Sequence, residues 1–330
     1  MLDAAIIGMG RWGRTLVDSV QGQRGDNHGA GIRFVAGCTG TPAKAAGYAA
    51  EKGIVLHDSL APILADRSIG AIVLATPHAQ HAEQVIAAAA AGKHVFVEKP
   101  FTLSQASAAA AVAACRKAGV VMALGHNRRF LPAVAEMKSI LASGKLGTLL
   151  HVEGQFSGPG GFTYQPGAWR ADRAESPLGG MGGMGIHMID LIISLAGRFR
   201  DVRVLSKAVV LDTIDDTTAM LATLENGATC TFATLGAATR YWRCALFGSD
   251  GLVELRGHEQ LFFRAREGGE EWTRDFAPVD IERAELEAFA AAVAGGPAYP
   301  LPLDEAVHGV AVFETMIGAA ASGSAYAVPA

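Results

Sequence analysis

The 330-residue chain is half hydrophobic and 18% charged, enough to bury the cores of one or two domains without disulfide or metal staples. Its 40 glycines follow no G-X-Y period, which excludes collagen, and apolar periodicity throughout excludes disorder. A net charge of −4 implies no broad basic surface, so nucleic acid and anionic membrane are excluded as natural partners.

The N-terminal part alternates strand and helix. Apolar runs at 4–7, 32–38, 54–56, 71–75, 94–97 and 120–124 predict strands. Helices are predicted at 11–20, 44–52, 78–91 and 104–118, and a glycine-rich loop fills 21–31. Short apolar strands separated by helices imply crossovers on a parallel sheet covered on both faces. From Gly125 onward the pattern changes. A helix at 132–142 and a strand at 151–156 lead to a Gly/Pro-rich loop through Pro177. A helix at 187–196 precedes strands at 202–211, 217–225, 228–235, 241–247 and 252–255. Asn226-Gly227 and Asp250-Gly251 mark hairpins, the first read as a type I′ turn. Helices at 282–294 and 304–321 close the chain, and no internal repeat is present. The expected class is α/β: a doubly wound Rossmann domain at 1–124 and an α+β domain at 125–330 for substrate and oligomerisation. The four cysteines, Cys38, Cys115, Cys230 and Cys244, form no C-x-x-C pair. They point to a reducing cytoplasm and to no metal site. The opening MLDAAIIG lacks a basic n-region, so no signal peptide is expected, and no apolar run reaches the length of a membrane span.

Gly8-Met9-Gly10-Arg11-Trp12-Gly13 is G-x-G-x-x-G between a strand and a helix, the context that makes this motif a dinucleotide fingerprint. Gly8 serves the tight turn, Gly10 the approach of a pyrophosphate, and Gly13 the close packing of helix on strand. NAD sites usually carry an acid at the end of the second strand. Here that position reads Thr39-Gly40, with Lys44 in reach. NADP is therefore favoured, with NAD still open.

His94–Pro100 reads HVFVEKP, a strand ending in Glu98, Lys99 and Pro100. Ligands of open α/β sheets bind beyond the carboxyl ends of strands, and the proline is expected to hold Lys99 extended. His187 and Asp190 follow a glycine-rich run and share one helix face. His187 is read either as a proton shuttle or as a core residue satisfied by Asp190. Two such residues with no third do not make a metal site.

With GMGRWG, ATPHAQH at 75–81, GKHVFVEKP, GHNRRF at 125–130, GIHMID at 185–190 and IDDTT at 214–218 in this order, the chain resembles the Gfo/Idh/MocA family over essentially its whole length. That resemblance implies a Rossmann domain followed by a domain with a large, mostly antiparallel sheet, which commonly carries the contacts of homodimers or homotetramers. It implies an NAD(P)-dependent dehydrogenase or reductase that exchanges hydride with a hydroxyl or carbonyl carbon of a sugar, polyol or related compound. The family's catalytic lysine falls on Lys99 and its catalytic histidine on His187. Cofactor contacts fall on Gly8, Gly10, Gly13, Thr76, Pro77, His81 and Glu98, with Arg11, Trp12, Thr39, Gly40, Lys44 and Lys99 beside them. Substrate contacts fall on His126, Asn127, Arg128, Trp169, Arg170 and His187. Many members carry Asp four residues before the catalytic histidine, where this chain has Gly183. That departure implies another substrate mode or an orienting group from elsewhere, such as His126. Two alternatives remain: a redox-neutral enzyme that oxidises, eliminates or hydrolyses and then reduces with tightly held NAD, and a non-catalytic dinucleotide-binding sensor.

Overall fold

Ala71–Leu74 is buried at all four positions, as a parallel strand covered on both faces must be. In the computed structural model, which describes residues 1–22, 31–165, 167 and 171–330, this strand is the fourth of its sheet. Most of the expected glycine-rich loop at 21–31, together with Trp169 and Arg170, lies outside the described residues. The chain divides into two units, 1–127 with 280–303, and 128–279 with 304–330.

The first unit holds, among the described residues, a six-stranded sheet of β1 (Leu2–Ile7), β2 (Ile32–Cys38), β3 (Val55–His57), β4 (Ala71–Leu74), β5 (His94–Glu98) and β6 (Met122–Gly125), in the order β3-β2-β1-β4-β5-β6. Every pairing is parallel. Strand order reverses between β1 and β4, which makes the crevice beyond their carboxyl ends the ligand position of a doubly wound sheet. Helices α1 (Arg11–Gln21), α2 (Pro42–Glu51), α3 (Leu60–Ala65), α4 (His81–Ala90) and α5 (Gln105–Ala118) connect the strands. Ser104 caps α5 by accepting from the Ser107 N–H, and Gly119 in the left-handed region ends it, the usual start and stop signals.

One helix of this unit comes from far down the chain. Asp280 caps Ile281–Val293 by accepting from the Arg283 N–H at 2.9 Å. Leu286, Phe289 and Ala290 join the core formed by Ile6, Leu16, Phe34, Val73 and Phe96. Phe289 meets Phe96 edge to face at 5.8 Å, and Tyr299 donates to the Leu124 carbonyl at 3.1 Å. The contiguous division expected at 124/125 is therefore corrected: 280–303 completes the first unit, because its apolar face is buried there.

The second unit carries a nine-stranded sheet, ordered β14-β13-β12-β11-β7-β10-β9-β8-β15. Its strands are β7 (Leu149–Ser157), β8 (Phe199–Lys207), β9 (Thr217–Leu224), β10 (Thr229–Leu235), β11 (Tyr241–Gly248), β12 (Gly251–Arg256), β13 (Gln260–Ala265), β14 (Glu271–Asp275) and β15 (Tyr326–Ala327). The sheet is antiparallel except where β7 runs parallel to β10. Helices α6 (Pro132–Ala142), α7 (Ile186–Ala196) and α9 (Leu303–Ser322) accompany it, and the capped helix Ile281–Val293 is α8. The hairpin at Asn226-Gly227 forms as expected but with another turn. Only Gly227 has positive φ, +89°, while the Asn226 side chain accepts from the Ala228 N–H at 3.0 Å. This is a type I turn with a left-handed glycine rather than type I′. β13 and β14 were not expected. β14 is the edge strand, and the outward positions of the pair are polar or charged, as an edge requires: Arg264 pairs with Glu271 and Gln260 with Asp275, while Leu261 and Phe263 point inward.

Candidate active site

In the first unit, β1 runs into Gly8 at φ +95°, where a Cβ would stand 2.4 Å from the Ala75 carbonyl oxygen. At Gly13 a Cβ would be 1.9 Å from the carbonyl oxygen of Gly8. Both glycines are thus set by close backbone approach. Gly10 differs: its φ of −72° suits any residue, and among the described residues a Cβ there meets nothing within 4 Å. It is the N-cap of α1, with no capping side chain and no acid in the first turn. Bare amides at the positive end of a helix dipole, facing open space at the switch point, fit a pyrophosphate. Arg11 is exposed and Trp12 half-buried. At the end of β2, Thr39 is half-buried while Gly40 and Lys44 are exposed. A Cβ at Gly40 would also meet nothing within 4 Å. Asp58, which sequence reasoning passed over, lies after β3 close enough to join burial in raising the Cys38 thiol.

The end of β5 is built tightly. Glu98 is 4% exposed, and its carboxylate accepts from the Lys99 backbone N–H at 3.2 Å. Burial pushes its pKa up to about 7, against the downward pull of Lys99 and the Trp12 indole N–H. Gly125 on β6 makes room for it: a Cβ there would stand 2.8 Å from Glu98 Oε1. That requirement was missed, and the only sequence signal was a glycine ending an apolar strand. Lys99 is half-buried and precedes a cis peptide to Pro100. His81, expected to face the cofactor, is wholly buried instead. Its Nδ1 lies 3.0 and 3.1 Å from the carbonyl oxygens of Pro100 and Phe101, and its Nε2 lies 3.0 Å from that of Thr76. Its ring therefore stands between the end of β4 and the segment after Lys99, and burial favours the neutral form, whose single N–H donates to one side. Thr76 donates its hydroxyl to Gln84 at 2.6 Å, and Pro77 follows half-buried. His126 is buried. Asn127, read as a substrate contact, donates to Glu282 of α8 at 3.2 Å.

In the second unit, a π-helical turn at Met181–Gly185 leads into α7, a local form frequent at functional sites. Gly154 of β7 lets the helix sit close, since a Cβ there would be 2.7 Å from Met188 Cγ. His187, 3% exposed, thereby lies beside Phe156, with ring centroids 6.4 Å apart. Arg128 reaches His187 Nε2 at 3.2 Å and lies over the Phe156 ring, 5.7 Å from its centroid. Asp190 is engaged by a neighbouring arginine. Its carboxylate takes a forked pair of bonds from Arg129 at 2.8–3.1 Å, and Arg129 also donates to Glu305 of α9 at 2.7 Å. Arg128 is thus a polar group on the His187 ring. Among the described residues, a Cβ at Gly183 would meet the Tyr164 hydroxyl at 3.8 Å. Among the described residues no three His, Cys, Asp or Glu side chains group to hold a metal, and no helix is long and apolar enough to cross a membrane.

Two models of one protein family match the chain: an oxidoreductase family with NAD-binding Rossmann fold over residues 2–126, and the GFO/IDH/MocA C-terminal domain over residues 134–254. The scyllo-inositol 2-dehydrogenase (NAD(+)) of Bacillus subtilis is 33% identical over 200 residues, covering 58% of this chain and 53% of that protein. The levoglucosan dehydrogenase of Pseudarthrobacter phenanthrenivorans is 33% identical over 141 residues, covering 42% and 36%. The matches thus span about half the length of such relatives, or less. Among solved structures, levoglucosan dehydrogenase in complex with NADH and levoglucosan has a TM-score of 0.86 at 22% identity, covering all of both chains. The aldose-aldose oxidoreductase from Caulobacter crescentus has a TM-score of 0.85 at 23% identity, covering 99% of each. At that identity the likeness establishes the fold.

Proposed function

Because the chain belongs to the GFO/IDH/MocA family of NAD-binding oxidoreductases, we propose that it is a dehydrogenase or reductase moving hydride between a nicotinamide dinucleotide and the hydroxyl or carbonyl carbon of a sugar or polyol. The observation that carries this reading is Gly10: a bare helix N-cap, open at the switch point of a doubly wound sheet. The names of the inositol and levoglucosan relatives support the substrate class. A bound nicotinamide supplies the site that gives or takes hydride.

The chain's own groups do the rest. Gly8, Gly10 and Gly13, with the first turn of α1, hold the pyrophosphate. Thr39, Gly40 and Lys44 receive the ribose end, and with no acid among them NADP is favoured over NAD. Lys99 donates to the reacting oxygen and stabilises the negative charge that develops there, the kind of term that usually dominates catalysis. His187 takes the hydroxyl proton during oxidation and returns it during reduction. A homodimer or homotetramer is proposed on the outer face of the nine-stranded sheet, where Leu205, Leu221 and Tyr241 stand exposed. A cytoplasmic setting fits four cysteines that are all free thiols.

The test is a panel of sugars, polyols and aldehydes followed at the nicotinamide absorbance band with both cofactors. Turnover of at least one sugar or polyol is expected. Tight cofactor binding with no net absorbance change on any compound would refute the reading.

A further inference from the structure

A guanidinium carries five donors and no acceptor, so the contact between Arg128 Nη1 and His187 Nε2 at 3.2 Å has one assignment: Nε2 is the acceptor. A neutral imidazole with its lone pair on Nε2 carries its proton on Nδ1. Protonating Nε2 would set N–H against N–H and one cation against another. The pair is not an accidental touch of two mobile side chains. His187 is buried at the start of a helix seated on β7 through Gly154 and Met188. The guanidinium is held over Phe156, whose ring neighbours that of His187. The next residue, Arg129, forks onto Asp190, one turn further along the same helix. Two consecutive arginines thus hold two successive turns of α7.

We propose that Arg128 is the positioning residue of His187, fixing the ring as the neutral Nδ1–H tautomer and holding it unprotonated at acidic pH. The charges around it agree. On α7 itself, Asp190 is neutralised by Arg129, which also takes Glu305 of α9. On α6, Lys138 is held below the ordinary lysine range, by burial first and then by Arg129. In the turn after β12, burial and then Arg128 drive His258 down to about 4, so the same guanidinium already acts on a second imidazole. On β7 the facing residue is the uncharged Phe156, and the turn before α7 (Met181–Gly185) carries no titratable group. The inference rests on the proposed role of His187 as the group that moves the substrate proton. Its consequence is that the ring stays unprotonated below the ordinary histidine pKa of about 6.5, and that Nε2 can take the substrate proton only once the Arg128 N–H has given up that lone pair to the substrate hydroxyl.

The test separates the two readings. The full chain is labelled with ¹⁵N-histidine, and long-range proton–nitrogen correlations are recorded from pH 5 to 8. His187 is assigned by the signal that disappears in His187→Gln. The expected result is a proton on Nδ1 across the range. Arg128→Gln should raise the His187 midpoint by about one pH unit or more, the usual effect of removing a cation within 4–6 Å. Arg128→Lys, which keeps the charge, should hold the midpoint near that of the native chain. A proton on Nε2 in the native chain, or the same midpoint in folded Arg128→Gln, overturns the proposal. If Arg128→Gln does not fold, the native tautomer alone decides. With a substrate in hand, the acid limb of kcat/KM for oxidation should move with the nuclear magnetic resonance midpoint. A midpoint that moves while the limb stays fixed would remove His187 from the chemistry and leave its positioning by Arg128 intact.

Discussion

Replacing Gly10 and Gly13 by alanine, one at a time, should separate a glycine kept for the ligand from a glycine kept for the fold. At Gly13 the new Cβ would stand 1.9 Å from the Gly8 carbonyl oxygen, more than an ångström inside the closest approach real Cβ atoms make. α1 must then move off β1. Overpacking of this kind costs roughly 1–3 kcal/mol, offset by about 0.5–1 kcal/mol because alanine favours a helix interior over glycine. At Gly10 the Cβ meets nothing within 4 Å and φ is ordinary. The only folding cost is a poorer N-cap, about 0.5 kcal/mol. That Cβ enters the space assigned to the pyrophosphate, so cofactor affinity should fall at least about tenfold, or 1.4 kcal/mol. Thermal unfolding without cofactor and fluorescence titration with it measure the two effects. Gly13→Ala should lose several degrees of Tm, and Gly10→Ala about a degree while binding weakly. Native-like cofactor binding by Gly10→Ala would refute the placement of the pyrophosphate.

Thr39→Asp should shift cofactor preference toward NAD, since a carboxylate accepts from ribose hydroxyls and repels a 2′-phosphate; an unchanged ratio of the two dissociation constants would show that Thr39 does not face the ribose. Lys99→Ala and His187→Ala should each lower turnover by roughly 10²-fold, with the double variant little worse than either under the proposed mechanism, because groups acting on one oxygen are not additive; near-native kcat in both single variants would remove them from the mechanism. Glu98 has a pKa pushed up to about 7 by burial. The fold therefore prefers its protonated form, and the associated stability is present below the ordinary carboxylate pKa and lost as pH rises through 7. Glu98→Gln should match the native unfolding free energy near pH 4.5 and exceed it at pH 8, by roughly 1–3 kcal/mol; a gap that does not change with pH would contradict the assignment.

The first unit was legible wherever geometry leaves one residue type. Only glycine satisfies the approaches at 8 and 13, and a wholly apolar run such as Ala71–Leu74 serves best as a central parallel strand. Partnership between distant segments was not legible. The periodicity of α8 announces an amphipathic helix but not which sheet it covers, and its place against Phe96 follows from three-dimensional packing alone. β13 and β14 were hidden because the charges that protect an edge look like those of a loop. The site shows the same limit. His81 was placed among the cofactor contacts by the family resemblance, and nothing in its motif announces that its ring lies among three backbone carbonyls. Arg128 and His187 are 59 residues apart, and a pair of adjacent arginines gives no sign that one binds the histidine and the other the aspartate.

The segment 280–303, which finishes the first unit, is made late in synthesis. Until it leaves the ribosome, the N-terminal sheet lacks Leu286, Phe289 and Ala290 against Phe96 and its neighbours. A nascent or truncated chain ending near residue 127 would present that apolar surface to solvent and to other chains. Fragments cut at the apparent end of the nucleotide-binding region should be poorly soluble, whereas the same fragment co-expressed with a peptide spanning 280–303 should be rescued. Dinucleotide binding by the first unit would therefore double as a report that synthesis has passed residue 303 and that this segment has folded back on the N-terminal sheet.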